Sequence, residues 1–180
     1  MKRKPTTPGY VHSLREIEEF EARLRISLPI DYKEYLLSHK TGSDWPVSIL
    51  SDWCQPEDED RLPVNFLEVP FPYTNRWNEL DLFDGSKGWA CDYFSMRHVT
   101  GSIRISNLGC ERYALLIITG QERGKIWHDD RVFSRKGIYP LVSPGGRHID
   151  FAKYISLKPG ERDVAASYIY KRTPHRGRGK

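Results

Sequence analysis

Residues 101–131, GSIRISNLGCERYALLIITGQERGKIWHDDR, decide the fold. Ile103 and Ile105 alternate with Ser102, Arg104 and Ser106, the period of two expected of a strand with one face buried. Asn107, Leu108, Gly109 and Cys110 break that pattern. Residues 114–118, ALLII, form a short β-branched-rich run without a polar face, as suits a central strand covered on both sides. Gly120 and Gly124 bracket a short loop and can supply positive φ, and residues 125–129, KIWHD, return as a third strand. The three are expected to be neighbours in one mainly antiparallel sheet.

Upstream of the sheet the apolar period changes to that of helices. Ser13-Leu14-Arg15-Glu16 fits a capping box, and Leu14, Ile17, Phe20 and Leu24 fall on one face of the helix that it opens. Pro29 and Asp31 start a second helix, with Tyr32, Tyr35, Leu36 and His39 as its inward stripe and Thr41-Gly42 as a left-handed stop. Residues 43–101 are weakly patterned: the acidic run 57–60 reads as a solvated loop, 85–88 as a turn, and 89–99 as a short helix or strand. Downstream, Pro140 places the strand-like segment 137–142 at a sheet edge.

Residues 1–12, with Pro5, Pro8 and Gly9 among polar neighbours, read as a disordered leader, and 172–180 as a flexible basic tail. A chain of 180 residues is expected to form one domain able to bury roughly 70% of its unfolded surface without staples. Cys54, Cys91 and Cys110 are odd in number and match no zinc or redox spacing, which points to free thiols in a reducing compartment. The charged start at residues 2–4 lacks the following apolar run of ~7–15 residues that a signal peptide needs, so a cytoplasmic location is expected. The longest apolar run, 114–118, is far short of the ~20 residues that span a bilayer. The net charge of +4 is uneven: without Lys2, Arg3, Lys4 and the five cations of 171–180, 20 basic residues face 24 acidic ones, a net −4.

The landmarks together resemble the SUKH superfamily, which includes the yeast cell-wall-synthesis regulator and many bacterial proteins that neutralise toxins of polymorphic toxin systems. The matching residues are 101–105, Gly109-Cys110, 115–120, 124–127 and Asp129-Asp130-Arg131, preceded by ISLPIDYKEYLL at 26–37. Residues 71–77, FPYTNRW, resemble a recurrent segment of bacterial members, and 151–155 the start of the closing helix. Lys40-Thr41-Gly42-Ser43 departs from the family's Asn-Gly-Gly-like turn, and 156–160 from its final helix. The resemblance implies an α+β domain over 13–155, an N-terminal helix pair packed on a curved, mainly antiparallel sheet, with a divergent C-terminal segment at 156–180.

Enzyme chemistry finds little support. The six histidines include no i,i+4 pair and no His-x-His, so no metal site is expected; the resemblance implies no cofactor. His128-Asp129-Asp130 is the most enzyme-like triplet, but neighbours on a strand point to opposite faces, and an exposed strand end is the simpler reading. Cys110 beside Arg112 lacks a convergent histidine and reads as a small residue under a tight turn. There is no phosphate-cradling glycine motif.

A binding surface is the alternative. If Ile126 and His128 face the helices, then Lys125, Trp127 and Asp129 point the other way, on the side of Arg104, Ser102 and Ser106. Trp127 among charged residues then has the composition of an interface anchor with a polar rim. Equally, Trp127 can fill a second core layer under 71–77 or 138–142. In the family this sheet side is implicated in holding partners. The candidate partner-binding residues are therefore Trp127, Asp129, Asp130, Arg104 and Lys125. The function expected is a monomeric, non-enzymatic immunity protein that binds a cognate toxin, a basic one such as a nuclease. The alternatives are a nucleic-acid-associated protein that uses its basic ends weakly, or an intracellular regulatory scaffold.

Overall fold

The computed structural model, which describes residues 11–39, 65–78, 93–158 and 160–162, folds 101–131 as three consecutive antiparallel strands. β1 (Ser102–Gly109), β2 (Arg112–Ile117), β3 (Ile126–Asp130) and β4 (Gly137–Pro140) pair in that order as an open sheet. The chain is thus of the α+β class, with α1 (Leu14–Leu24), α2 (Ile30–Ser38) and α3 (Phe151–Ser156) around the sheet.

β1 is longer than its alternation suggested, because it contains two irregularities, a bulge at Ile105 and a second register shift between Asn107 and Gly109. Arg104 pairs with Leu115 and Ser106 with Ala114, leaving Ile105 as the extra residue. The bulge shifts the alternation, so Ser106 shares a face with Ile103 instead of opposing it. Residues 107–109 therefore extend the strand instead of breaking it, and Cys110 belongs to the turn. The hairpin turns at Cys110 and Glu111, whose φ angles of 51° and 57° match the two positive values that a type I′ turn needs. Cys110 is exposed at this tip and not tucked under it.

The helices form where their signals stand. Ser13 and Glu16 make the capping box, with the Glu16 N–H donating to Ser13 Oγ at 3.3 Å and the Ser13 N–H to Glu16 Oε2 at 2.8 Å. Ile17 and Phe20 are buried, but Leu14 in the first turn is 55% exposed. Pro29 is the N-cap of α2, and Tyr32, Tyr35 and Leu36 point inward. His39 is exposed and extended just past the helix, stacked on Tyr35 at 4.4 Å. The stop expected at 41–42, the loop at 57–60, the turn at 85–88 and the tail at 172–180 lie outside the described residues. Phe151 of α3 meets Tyr32 and Tyr35 edge to face at 4.8 and 5.4 Å, and Asp31 accepts the Ala152 N–H. Arg123 closes the layer from the β2–β3 turn by donating to the carbonyls of Ser27 and Leu28.

The boundaries extend past those read from sequence. His12, assigned to the leader, is buried and donates its N–H to the Leu36 carbonyl. Arg162, in the divergent segment, is also buried and donates to the carbonyls of Tyr154 and Ile155.

Both faces of the sheet are buried. One carries Ile103, Leu116 and Ile126, which join Ile17, Phe20, Tyr32 and Leu36 in a single hydrophobic cluster. The other carries Leu115, Trp127 and Ile138, and here the 65–78 segment supplies the cover: Phe71 lies edge-on to Trp127 at 4.9 Å. The 71–77 aromatics are therefore packing residues, with Tyr73, Trp77 and His98 stacked beside a 3-10 turn at Met96–Val99. Trp77 also exchanges two backbone hydrogen bonds of 2.8 Å with Ile138, which covers part of the β4 edge.

Two glycines allow these close approaches. A Cβ on Gly137 (φ 83°) would stand 2.1 Å from the Trp77 carbonyl oxygen. At Gly101 (φ 62°) it would stand within 2.8 Å of three backbone atoms, Val69 O, Phe71 N and Thr119 O. Gly101 ties three segments together: its N–H donates to Phe66 O, and its carbonyl accepts from Ile118 and Thr119. None of these backbones can move independently, so Gly101→Ala should destabilise by about 3 kcal/mol or more. Urea unfolding checks this, and an unchanged midpoint would show that the junction relaxes.

Candidate functional site

The residues expected to form an exposed patch are placed differently. Trp127 is fully buried between Phe71 and the edge-on ring of His148, at 4.9 and 5.9 Å. Asp129 and Asp130 are 6% and 1% exposed. Arg104 is half-buried with its guanidinium 3.9 Å above the Tyr113 ring, and Lys125 makes a β-bridge with Asp150 beyond the start of β3. The five therefore do not form one surface. Trp127 fills a second core layer under 71–77 because that segment caps the sheet face the helices leave. Trp127→Ala should accordingly cost about 3–5 kcal/mol of folding stability. The check is a denaturant titration, in which a near-parental midpoint would contradict core placement.

The two carboxylates organise the β3–β4 turn. Asp129 takes both Nε and Nη2 of Arg131 at 2.7 Å, a bidentate pair almost wholly out of water. Arg131 Nη1 donates to the carbonyls of Tyr93 at 3.0 Å and Ser95 at 2.9 Å. Asp130 accepts the N–H of Ser134 at 3.0 Å and its hydroxyl, while its own carbonyl takes the Lys136 N–H. Asn78 and Arg76 hold the carbonyls of Arg135 and Lys136 from the outside.

The His128-Asp129-Asp130 triplet does not converge into an acid–base pair. Asp129 lies on the opposite face with both oxygens committed to Arg131, and His128 Nε2 is buried without a hydrogen-bond partner. Burial, followed by the charges of Arg112 and Lys136, lowers the His128 pKa from 6.5 to about 3. The unfolded chain thus binds a proton near pH 6.5 that the native state refuses until about pH 3. The stability due to a neutral His128 is complete above 6.5 and is lost as the pH falls toward 3. Across that window His128→Leu should flatten the pH dependence by up to about 1.4 kcal/mol per pH unit relative to the parent. Paired denaturant titrations at pH 7 and pH 4.5 measure it, and parallel losses in both proteins would rule out His128 as the source.

What sequence reasoning missed lies just beyond the carboxylates. Val132 and Phe133 are 47% and 60% exposed on the outside of the pinned turn. Arg112, from the neighbouring hairpin, places its guanidinium 5.6 Å from the Phe133 ring centroid. Phe94 is 46% exposed and sits between the two carbonyls that Arg131 holds. The available signal was an apolar pair inside DDRVFSRKG, where a turn calls for polar residues.

Among the described residues, no group of three His, Cys, Asp or Glu side chains could hold a metal ion, and no helix is long and apolar enough to cross a membrane. The chain matches no protein-family model, no curated protein and no solved structure.

Proposed function

We propose that this chain is a non-enzymatic protein-binding domain that presents the β3–β4 turn to its partner. Following the resemblance to the SUKH superfamily, the partner is a toxin domain that the chain masks. One observation carries the binding surface: two large apolar side chains project from a turn whose backbone is fastened by Asp130, Asn78 and Arg76. Apolar groups on an already ordered loop bind with little further loss of conformational entropy, the property of an interface hot spot.

The contact point thus moves from Trp127, Asp129 and Asp130 to the residues they support. Electrostatic steering is also relocated. The acidic excess of the body lies in 40–64 and 79–92, where ten acids face three cations; among the described residues, 17 cations outnumber 13 acids. Attraction of a basic toxin would come from those two segments, while the turn supplies the slow-dissociating apolar contact.

Any toxin domain encoded beside the gene for this chain is the partner to use. Phe133→Ser should leave the circular dichroism spectrum and melting temperature near parental, yet raise Kd at least ~30-fold, a loss of about 2 kcal/mol. Equal affinity of parent and variant would remove the turn from the interface. A parent chain that ignores the toxin but retains nucleic acid above ~0.2 M salt would favour the nucleic-acid reading.

A further inference from the structure

We infer that Arg131 is a positioning residue that assembles the contact surface from two segments far apart in sequence. This rests on the function proposed above and adds to it that the surface is composite, with Phe94 as its third apolar element.

The geometry is specific. A guanidinium offers five N–H donors in a rigid fork. In Arg131, Nε and Nη2 face the two oxygens of Asp129, and Nη1 is shared by the carbonyls of Tyr93 and Ser95. Those two carbonyls flank Phe94, while Val132 follows Arg131 directly along the chain. One buried side chain, 4% exposed, thus fixes the backbone on both sides of Phe94 relative to the turn that carries Val132 and Phe133.

Other contacts also hold the 93–95 segment. Tyr93 stacks on Trp77 at 5.4 Å and donates its hydroxyl to Asn78 at 2.8 Å. Ser95 caps the 3-10 turn, accepting the Arg97 N–H on its hydroxyl and the His98 N–H on its carbonyl, each at 3.3 Å. The Phe94 ring packs edge-on to Tyr93 at 5.0 Å and is otherwise displayed. Nη1 is what ties the carbonyls on either side of Phe94 to the residue that opens the β3–β4 turn.

The occupant that fits is a different protein rather than a second copy. Three side chains, each about half exposed, offer on the order of 300 Å², well below the ~800 Å² per partner of a stable interface. Such a patch acts as the anchor within a larger contact that a partner of its own shape completes.

Arg131→Lys tests the assignment, since it keeps a cation beside Asp129 but cannot bond two carboxylate oxygens and two carbonyls in one plane. Amide hydrogen exchange needs no partner: it should rise at least tenfold at residues 97 and 98, whose N–H groups donate to Ser95, in Arg131→Lys and stay near parental in β1 and β2. Unchanged exchange at 97 and 98 overturns the inference, as does a uniform rise, which would mean general destabilisation. With the adjacent-gene toxin domain as probe, Phe94→Ala should weaken binding about tenfold in the parent and less than threefold in Arg131→Lys. Phe133→Ala should weaken both backgrounds equally. If Phe133→Ala matters while Phe94 and Arg131 act independently, the composite surface is wrong and the binding reading stands. If neither phenylalanine matters, both fall.

Discussion

An ion pair almost entirely withdrawn from water sets the terms for the end of the sheet where β3 passes into β4. Asp129 and Arg131 have side chains 8% and 4% exposed, and desolvating two charges costs several kcal/mol per ion unless their hydrogen bonds are made. Here they are made: two bonds close the carboxylate–guanidinium fork and two more reach backbone carbonyls. Loss of either partner would strand the other charge in the core. The pair gives this region one arrangement in place of several, and the turn, the 93–95 segment and the display of Phe94 follow from it.

The second constraint is burial of the sheet from both sides. Leu115, Trp127 and Ile138 share one face of the sheet, and Phe71, from residues 65–78, covers Trp127 there. The attachment of that segment is mostly backbone: Phe71 N–H to Thr119, Gly101 N–H to Phe66, and the mutual bonds of Trp77 and Ile138. Backbone contacts at this range demand glycine where the chains cross, at Gly101 and Gly137. Phe71 edge-on to Tyr73, and the stack of Tyr73, Trp77 and His98, then fill the space above.

The proposed function rests on the contrast between these supports and what they display. Asp129, Asp130 and Arg131 are chemically rich but spent on internal bonds, so neither carboxylate is available for acid–base work. Val132, Phe133 and Phe94 are chemically inert but exposed on an ordered frame, the combination that favours recognition over catalysis. A domain that blocks another protein needs a stable shape more than a reactive group, which is why the immunity reading suits this arrangement.

Local signals were sufficient for the elements themselves. The Ser13–Glu16 box, Pro29 before an acidic first turn and the ALLII run act within a few residues, through capping bonds and side-chain period, and each produced the structure its chemistry dictates. The bulge at Ile105 was not legible, because an extra residue in a strand shows only against its partner. Nor was the fate of Trp127: its period in β3 assigns it to a face, whereas exposure depends on whether Phe71, 56 positions earlier, returns to cover that face. Charge was misleading for the same reason, since the Asp129–Arg131 pair reads as solvated until the carbonyls of Tyr93 and Ser95, 38 and 36 positions earlier, close over it. Sequence by itself determined which residues pair with near neighbours; tertiary structure decided which faces meet water, because burial is a property of the segments that arrive from elsewhere in the chain.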